Sequence, residues 1–270
     1  MKTRSIAAAL TAPLALLLVA CGTTDTGGDD DPAPQANDSA DCADDQTATS
    51  TEPVSLTDAF GRKVELDKPA ERVAVIEWQQ TEGLLSLCVT PVAVADVEGF
   101  STWVTAEELP EGVTDVGLRN EPNLETLFGT EPDLVVIEAY TPEDEIIAQL
   151  EEYDVPVLAT KGADAEDPIG QMVDTFELIA EATGREERAE VVVDQFEQHL
   201  EAAKDEIADA GTEVEEFVYF DGWLQGGNVA LRPFGQGSLI GELGRSWASP
   251  TPTTARSTRR TGSGRPTSRA

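Results

Sequence analysis

Histidine and cationic residues are scarce in this chain of 270 residues, which holds one His and 18 Lys and Arg against 52 Asp and Glu. A single histidine excludes a His-rich metal site and a catalytic cluster built on several histidines. The net charge of −34 excludes a surface that tracks a nucleic-acid backbone, because that affinity comes from Lys and Arg neutralising phosphates. Hydrophobic residues make up 40% of the chain, which is enough for a globular core.

The few cations are concentrated at the two ends. Residues 1–20 hold two cations and no acids, and residues 245–270 hold six Arg and no acids. The segment between them therefore carries the ten remaining cations and all 52 acids, a net charge of −42. Such a segment favours a ligand that is neutral or cationic overall, because a strongly anionic ligand would be repelled.

The N-terminal end has the pattern of an export signal. Lys2 and Arg4 precede a 15-residue apolar stretch that ends at Ala20, which is short for a membrane span of about 20 residues. The sequence Leu-Val-Ala-Cys21-Gly resembles the signal of bacterial lipoproteins, in which the Cys is lipidated and becomes the first residue. We therefore expect a lipid at Cys21 that holds the protein at the outer face of the cell membrane. The alternative is an ordinary secretory signal with an incidental Cys.

The next segment, residues 21–53, is rich in Asp, Thr, Ala, Pro and Gly and has almost no large apolar side chain. This composition predicts a disordered acidic tether. Cys42 lies in the tether and Cys88 in a later apolar stretch. Two alternatives stay open for them, a disulfide in an oxidising compartment or two unpaired thiols.

Short apolar runs alternate with helical spacing from residue 54 onward, which is typical of a parallel sheet with helices on both faces. Residues 54–66 predict a hairpin. Strands are predicted at 72–76, 91–95, 134–137, 155–158 and 214–220, and helices at 84–87, 122–128, 143–153 and 237–244. Residues 167–210 contain no strand-like run and predict helices with a break at Gly184, a stretch long enough to join two lobes.

Two segments carry a family resemblance. Ile76-Glu77-Trp78 is followed by Thr81-Glu82-Gly83-Leu84-Leu85, and residues 116–125 read Val-Gly-Leu-Arg-Asn-Glu-Pro-Asn-Leu-Glu. Together they resemble the iron-siderophore and cobalamin class of ABC-transporter substrate-binding proteins, and most of all the ferric-hydroxamate binders, over residues 54–244.

The resemblance implies an α/β, two-lobed periplasmic-binding-protein fold with a long bridging helix and a ligand cleft between the lobes. It implies an importer component that captures ferric siderophore and delivers it to an ABC permease. Cobalamin or haem binding on the same fold, or a surface interaction protein without transport, are the alternatives. The expected organisation is a signal peptide at 1–20, the tether at 21–53, an N-terminal lobe at 54–166, bridging and following helices at 167–210, a partial C-terminal lobe at 211–244 and a basic tail at 245–270.

The resemblance and the strand ends together identify candidate ligand contacts. A ferric trihydroxamate is an oxygen-rich chelate with apolar arms, so its site needs aromatic walls and a donor such as an Arg fork. The candidates are Trp78, Trp103, Arg119 and Tyr140 in the first lobe, and Trp223 and Arg232 in the second. For Arg119 the alternative is a surface ion pair with Glu121, and for the first-lobe aromatic residues it is core or rim packing.

Permease docking is implied by the resemblance through one carboxylate at the tip of each lobe. These are Glu125 and Glu242, for which the alternative is an ordinary solvated Glu. We expect no catalytic residues, no cofactor and no bare metal site, since His199 is the only His and lies within a predicted helix. Iron would arrive already chelated.

Residues 245–270 do not fit the family pattern, because 25 of these 26 residues are Arg, Ser, Thr, Pro, Gly or Ala. One interpretation is a disordered basic tail. The other, which we favour, is GC-rich coding DNA read out of frame after a frameshift near Arg245–Trp247. Reading one base earlier from Trp247 allows Leu-Gly-Val-Pro-Asp-Ala, which resembles a Gly-x-Pro-Asn-Ala segment of the family. This hypothesis predicts an incomplete, unstable second lobe and weak or lost ligand binding.

Sequencing the gene tests the frame hypothesis. We expect the shifted frame to stay open and to encode an acidic α/β continuation. A stop codon soon after the shift, or a continuation without acidic α/β character, would contradict it.

Overall fold

The computed structural model describes residues 42–211 and 217–247. The strands are β1 (Val54–Thr57), β2 (Lys63–Leu66), β3 (Val73–Val75), β4 (Ala93–Val94), β5 (Thr114–Asp115), β6 (Gly117–Leu118), β7 (Glu121–Pro122), β8 (Leu134–Ala139), β9 (Val157–Lys161), β10 (Tyr219–Gln225) and β11 (Asn228–Phe234). The helices are α1 (Trp78–Ser86), α2 (Val97–Trp103), α3 (Leu124–Gly129), α4 (Glu145–Leu150), α5 (Pro168–Thr183), α6 (Glu186–Asp209) and α7 (Leu239–Trp247).

A five-stranded parallel sheet forms the centre of the first lobe, in the order β5-β4-β3-β8-β9. Its strands are apolar almost throughout because both faces are covered. Alternate residues point to opposite faces, so that Val73 and Val75 belong to one core cluster and Ala74 and Ile76 to the other. This arrangement confirms the predicted parallel α/β lobe.

Each face of the sheet is covered by its own layer. On one face, the β1–β2 hairpin, α1 and α5 supply the buried side chains Leu56, Val64, Leu84, Leu87 and Ile179. On the other face, α3 and α4 supply Leu127, Ile147 and Leu150. The hairpin predicted at 54–66 is therefore confirmed, and it completes the first layer.

Local chemistry sets the ends of the helices that flank the sheet. The Asn123 side chain accepts a hydrogen bond from the Thr126 amide and begins α3. Asp167 caps α5 in the same way, with Pro168 in its first turn. Gly184 ends α5 at a φ of 69°, a conformation that glycine adopts readily, which confirms the predicted break.

The described part of the second lobe consists of an antiparallel hairpin, β10–β11, and the helix α7. Helix α7 packs against α5 and α6. Helix α6 is the longest helix of the described chain, with 24 residues, and it precedes this hairpin in the sequence. The long helical stretch predicted at 167–210 is thus two helices that meet at Gly184.

Several boundaries predicted from the sequence are wrong. The strand expected at 214–220 is β10, which begins at Tyr219, while residues 212–216 lie outside the described residues, and its partner β11 was not predicted. Helix α2 was also missed, because it is short and contains Gly99, Ser101 and Thr102, which are weak helix formers. Helix α7 includes residues 245–247, which the sequence assigned to the basic tail.

The tether prediction is wrong for residues 42–53. This segment is packed against the first lobe, and Cys42 forms a disulfide with Cys88 across a Cα–Cα distance of 5.4 Å. The thiol pairing that the sequence left open is therefore a disulfide. Composition missed the packing because the segment is held by polar contacts and a covalent bond rather than by apolar side chains. In the described part of the chain, no helix is long and apolar enough to cross a membrane.

Candidate functional site

The carboxyl ends of the parallel strands meet at one edge of the sheet, which we call the carboxyl edge. Glu77 and Trp78 follow β3, Asp96 follows β4, and Glu138 lies near the end of β8. The turn between β6 and β7 carries Arg119 to the same edge. Chain order reverses between β3 and β8, and open α/β sheets bind ligands at such switch points.

Arg119 is a cation in direct contact with the acidic side chains of this group. Its guanidinium lies 3.8 Å from the centroid of the Trp78 ring, in cation–π geometry. Its Nη1 donates a hydrogen bond of 2.6 Å to Glu77 Oε2, and its Nε lies 4.0 Å from Asp96 Oδ2. The predicted alternative, a pair with Glu121, is not what the structure shows, because Glu77 takes that role. The Arg119 side chain stays 36% exposed, so part of its donor fork faces solvent.

Trp78 is held as the stacking platform for Arg119 by its neighbours. It is half-buried as the first residue of α1, and its Nε1 donates to the Asp96 carbonyl oxygen at 3.2 Å. Gly99 makes room for the indole, because a Cβ at that position would lie 2.3 Å from Trp78 Cζ2 and 2.5 Å from Asp96 Oδ2. The missing side chain at Gly99 therefore lets Asp96 and Trp78 lie close together.

Glu138 adds a further carboxyl group to the site. Burial raises the pKa of the Glu138 carboxyl, and the nearby negative charge of Glu77 raises it further, against the opposing effects of a hydrogen bond from Gln80 and the charge of Arg119. Gly162 packs on this carboxyl so closely that a Cβ would lie 2.2 Å from Glu138 Cδ. Glu77 and Asp96 thus pair with the guanidinium of Arg119, and Glu138 interacts with it electrostatically. In residues 42–211 and 217–247, no group of His, Cys, Asp or Glu is arranged to hold a metal ion.

The other aromatic candidates of the first lobe are solvent-exposed. Trp103, the last residue of α2, is 74% exposed, and Tyr140, directly after β8, is 84% exposed. These values rule out core packing, one of the alternatives for each residue. Both side chains are free to contact a ligand, and their role remains a prediction.

Trp223 and Arg232 lie on the same face of the β10–β11 hairpin. Arg232 lies 5.9 Å from the Trp223 ring centroid, and its Nε donates to Asp221 Oδ2 at 3.1 Å. The structure thus brings together the two second-lobe candidates. The opposite face of the hairpin is apolar, and its side chains Phe220, Leu224, Val229 and Leu231 are exposed.

The two predicted docking carboxylates have different surroundings. Glu125 is exposed in the first turn of α3, close to the carboxyl edge. Glu242 is less exposed and accepts a hydrogen bond of 3.0 Å from Arg245 Nε, one turn later in α7. Docking through Glu242 would have to break or share this pair. Cys21, the predicted lipidation site, lies outside the described residues.

Sequence reasoning missed three residues of the site, Glu77, Asp96 and Glu138. A signal for them was present, since each lies at the carboxyl end of a strand-like run. Asp96 was overlooked because α2 was not predicted, so nothing indicated that a helix begins there. Glu77 was overlooked because an acid carries little information in a chain with 52 of them.

The fold agrees with the comparison to known protein families. Residues 73–256 match the family model described as periplasmic binding protein, and the chain therefore belongs to this family. The match continues past residue 245, where the sequence hypothesis places the loss of frame.

Several proteins similar to this chain are named for the iron chelates or siderophores that they bind. The chain is 31% identical over 141 residues to the iron(3+)-hydroxamate-binding protein FhuD of Escherichia coli K12, covering 52% of this chain and 46% of that protein. The FhuD structure of Vibrio cholerae with bound Fe3+-Desferal has 26% identity and a TM-score of 0.50, covering 56% of each chain. The petrobactin-binding protein YclQ of Bacillus subtilis shares the fold, with a TM-score of 0.58 at 16% identity over 74% of this chain and 67% of that one.

The chain spans about half the length of the curated relatives that it matches, between 42% and 55%. The family match at residues 73–256 includes Glu77, Trp78, Asp96, Arg119 and Glu138.

A substitution at Gly99 tests the packing of the site. We expect Gly99→Ala to displace the Trp78 indole or the Asp96 carboxylate and to destabilise the fold by about 1–3 kcal/mol, as overpacking does. Gly129→Ala, at the end of α3 where a Cβ meets nothing within 4 Å, is the matched control. The measurement is Trp fluorescence with thermal unfolding. An unchanged emission spectrum and midpoint for Gly99→Ala would contradict the packing.

The raised pKa of Glu138 predicts that the protein loses folding stability as pH rises. The ordinary pKa of Glu is 4.5. A group whose pKa is raised in the folded state contributes stability below its ordinary pKa, and this contribution is lost as pH rises through the folded-state pKa. Glu138→Gln cannot ionise and does not show this loss. The thermal midpoint of the variant, relative to that of the wild type, should therefore be higher at about pH 8 than at about pH 4. The exposed Glu98→Gln is the control, and an equal difference from wild type at both pH values would refute the assignment.

Proposed function

We propose that this chain is the extracytoplasmic substrate-binding component of an ABC importer, which captures a ferric siderophore of hydroxamate type. The observation that carries the proposal is the Arg119 guanidinium, stacked on Trp78 and partly exposed at the carboxyl edge of the sheet. A planar fork of donors suits the oxygen atoms of a hydroxamate chelate, and the neighbouring indole suits its apolar arms. The identity to an iron(3+)-hydroxamate-binding protein supports this ligand class.

The charged groups around Arg119 indicate which net charge the ligand carries. Glu77 and Asp96 neutralise the guanidinium, and Glu138 adds a further carboxyl. An anionic chelate would meet repulsion from this group, while a neutral or cationic chelate would not. The site therefore favours a ferric trihydroxamate that is uncharged or carries a free ammonium group.

Delivery to a permease and attachment to the membrane complete the proposal. Glu125 lies exposed near the carboxyl edge, where it can meet cationic groups of a permease while the ligand is bound. A lipid at Cys21 would hold the protein at the outer face of the membrane, and two relatives from Bacillus subtilis are named as lipoproteins. No nucleic-acid partner and no cofactor are proposed.

The alternative ligands of the same fold, cobalamin and haem, can be separated from a siderophore by their spectra. After incubation with each compound and removal of the excess, the absorbance of the protein fraction identifies what has bound. A band of cobalamin or haem without uptake of the ferric hydroxamate would replace the proposed ligand.

Ligand titration tests the function and the frame hypothesis together. Because the hypothesis of a lost frame predicts an incomplete second lobe, we expect the 270-residue chain to bind ferric desferrioxamine B more weakly than micromolar. The chain encoded by the shifted frame should bind at micromolar affinity or tighter, measured by quenching of Trp fluorescence. In that chain Arg119→Gln should weaken binding tenfold or more, while Lys68→Gln, which removes a distant exposed cation, should not.

The outcomes separate the two ideas. Quenching at micromolar or lower concentration with the 270-residue chain would contradict the expectation of lost binding. No binding by the shifted-frame chain, or equal loss in Arg119→Gln and Lys68→Gln, would contradict the proposed function.

A further inference from the structure

Residues 42–50, which we call the strap, are attached to the first lobe by a covalent bond and a set of polar contacts. The disulfide joins Cys42 to Cys88, two residues after the end of α1. At the other end of the strap, the Ser50 amide donates to the Gly184 carbonyl oxygen at 2.8 Å. Between them, the Ala48 amide donates to Glu187 Oε2 at 2.9 Å. The strap is therefore fixed along its length.

Arg185 is the centre of these contacts. Its Nη1 donates to Thr49 Oγ1 at 2.7 Å, its Nη2 pairs with Asp45, and its Nε donates to the Leu87 carbonyl oxygen at 2.9 Å. The Asp45 and Arg185 side chains are each 9% exposed. Although burial raises the pKa of Asp45, hydrogen bonds from Arg185 and Thr47 hold it below its ordinary value. A buried ion pair whose hydrogen bonds are satisfied in this way defines a single docked arrangement of the strap.

The strap lies at the edge of the sheet opposite to the carboxyl edge, which we call the amino edge. Strands β3 and β4 are parallel, so α1 must return from the carboxyl edge, where Trp78 begins it, to the amino edge, where it ends. Cys88 follows that end. Gly184 and Arg185 lie at the same edge, because α5 begins after the carboxyl end of β9 and Arg185 contacts Leu87.

We propose that the strap fixes the point at which the membrane tether leaves the body, at the amino edge and away from the ligand. This inference rests on the proposed lipid anchor at Cys21. Arg119 and Glu125 lie at or near the carboxyl edge, so docking of Glu125 on a permease would turn the strap away from the membrane.

The strap also shortens the free tether. Residues 22–53 separate Cys21 from β1, whereas only residues 22–41 separate Cys21 from the disulfide-bonded Cys42. A segment of about 20 residues extends at most about 70 Å, and one of about 32 residues at most about 110 Å. The disulfide therefore limits how far the body can move from its anchor, without taking part in the ligand site.

Formation of the disulfide requires an oxidant outside the cytoplasm. Exchange with a disulfide of a thiol oxidase protein forms the Cys42–Cys88 bond and leaves that protein as a dithiol, which carries away the two electrons and two protons.

Counting thiols in the full-length protein tests the strap and the anchor separately. The protein is expressed in a bacterium with an oxidising extracytoplasmic compartment, denatured, and labelled with a polymer-linked maleimide before and after reduction. The chain has three Cys, so a lipidated and strapped protein shows no labelled thiol before reduction and two after it. Two labelled thiols before reduction would overturn the strap. One before and three after would overturn the lipid anchor, and with it the tether role, while leaving the disulfide intact.

Hydrogen exchange tests whether the strap is docked as well as bonded. In the full-length protein we expect the peptide that contains Ala48 and Ser50 to exchange at least tenfold faster in Arg185→Gln than in wild type. Arg72→Gln is the matched control, because Arg72 also lies at the amino edge but bonds the carbonyl oxygens of Thr130 and Glu131. Unchanged exchange in β8 shows that the variants are folded. Exchange of the strap in wild type at the rate of an unstructured peptide would overturn the proposal.

Discussion

Parallel pairing of five strands is the constraint that brings the acidic side chains of the first-lobe candidate site to one edge of the sheet. Each helix that joins two parallel strands must return across a face of the sheet, so the carboxyl ends of all strands meet at one edge. This edge brings Glu77, Asp96 and Glu138 together although 61 residues separate the first from the last. The same rule places the ends of α1 and α5 at the opposite edge, where the strap is attached. The candidate ligand site and the attachment point of the strap therefore lie at opposite edges of one small lobe.

The electrostatics of the carboxyl edge follow from the composition of the chain. The segment between the two basic ends has a net charge of −42. Within it, Glu77 and Asp96 are the counter-charges of the partly exposed Arg119 guanidinium. The cation–π contact with Trp78 holds the guanidinium in one plane while the ion pair orients it. Arg119 is thus preorganised for oxygen ligands, but its surroundings select against negative charge. In the proposed function, affinity for the chelate and rejection of anionic compounds would come from the same group of side chains.

The parts of the fold that depend on local pattern were predictable from the sequence. The buried strands β3, β8 and β9 appeared as apolar runs, and the break at Gly184 followed from helix-ending chemistry. Helix α2 was not predictable, because its start depends on Asp96 in a left-handed conformation and on close contact with Trp78. Packing of residues 42–53 was hidden as well, since Asp45 and Thr49 look like solvent-exposed residues until Arg185 is placed beside them. For the site, the sequence indicated Arg119 and Trp78, but their contact and the partner Glu77 emerge only when β3 and the β6–β7 turn meet in space.

Paramagnetic broadening is the most direct measurement of the central claim, that the carboxyl edge holds the iron chelate. Spectra of 15N-labelled protein are compared with ferric desferrioxamine B and with its diamagnetic gallium analogue, a comparison that also detects weak binding. We expect the signal of the Trp78 indole N–H, assigned with Trp78→Phe, to broaden with iron and not with gallium. The amides of Ala48 and Ser50 at the amino edge should remain sharp. Broadening confined to the amino edge, or no difference between the two metals at Trp78, would contradict binding of the chelate at the carboxyl edge.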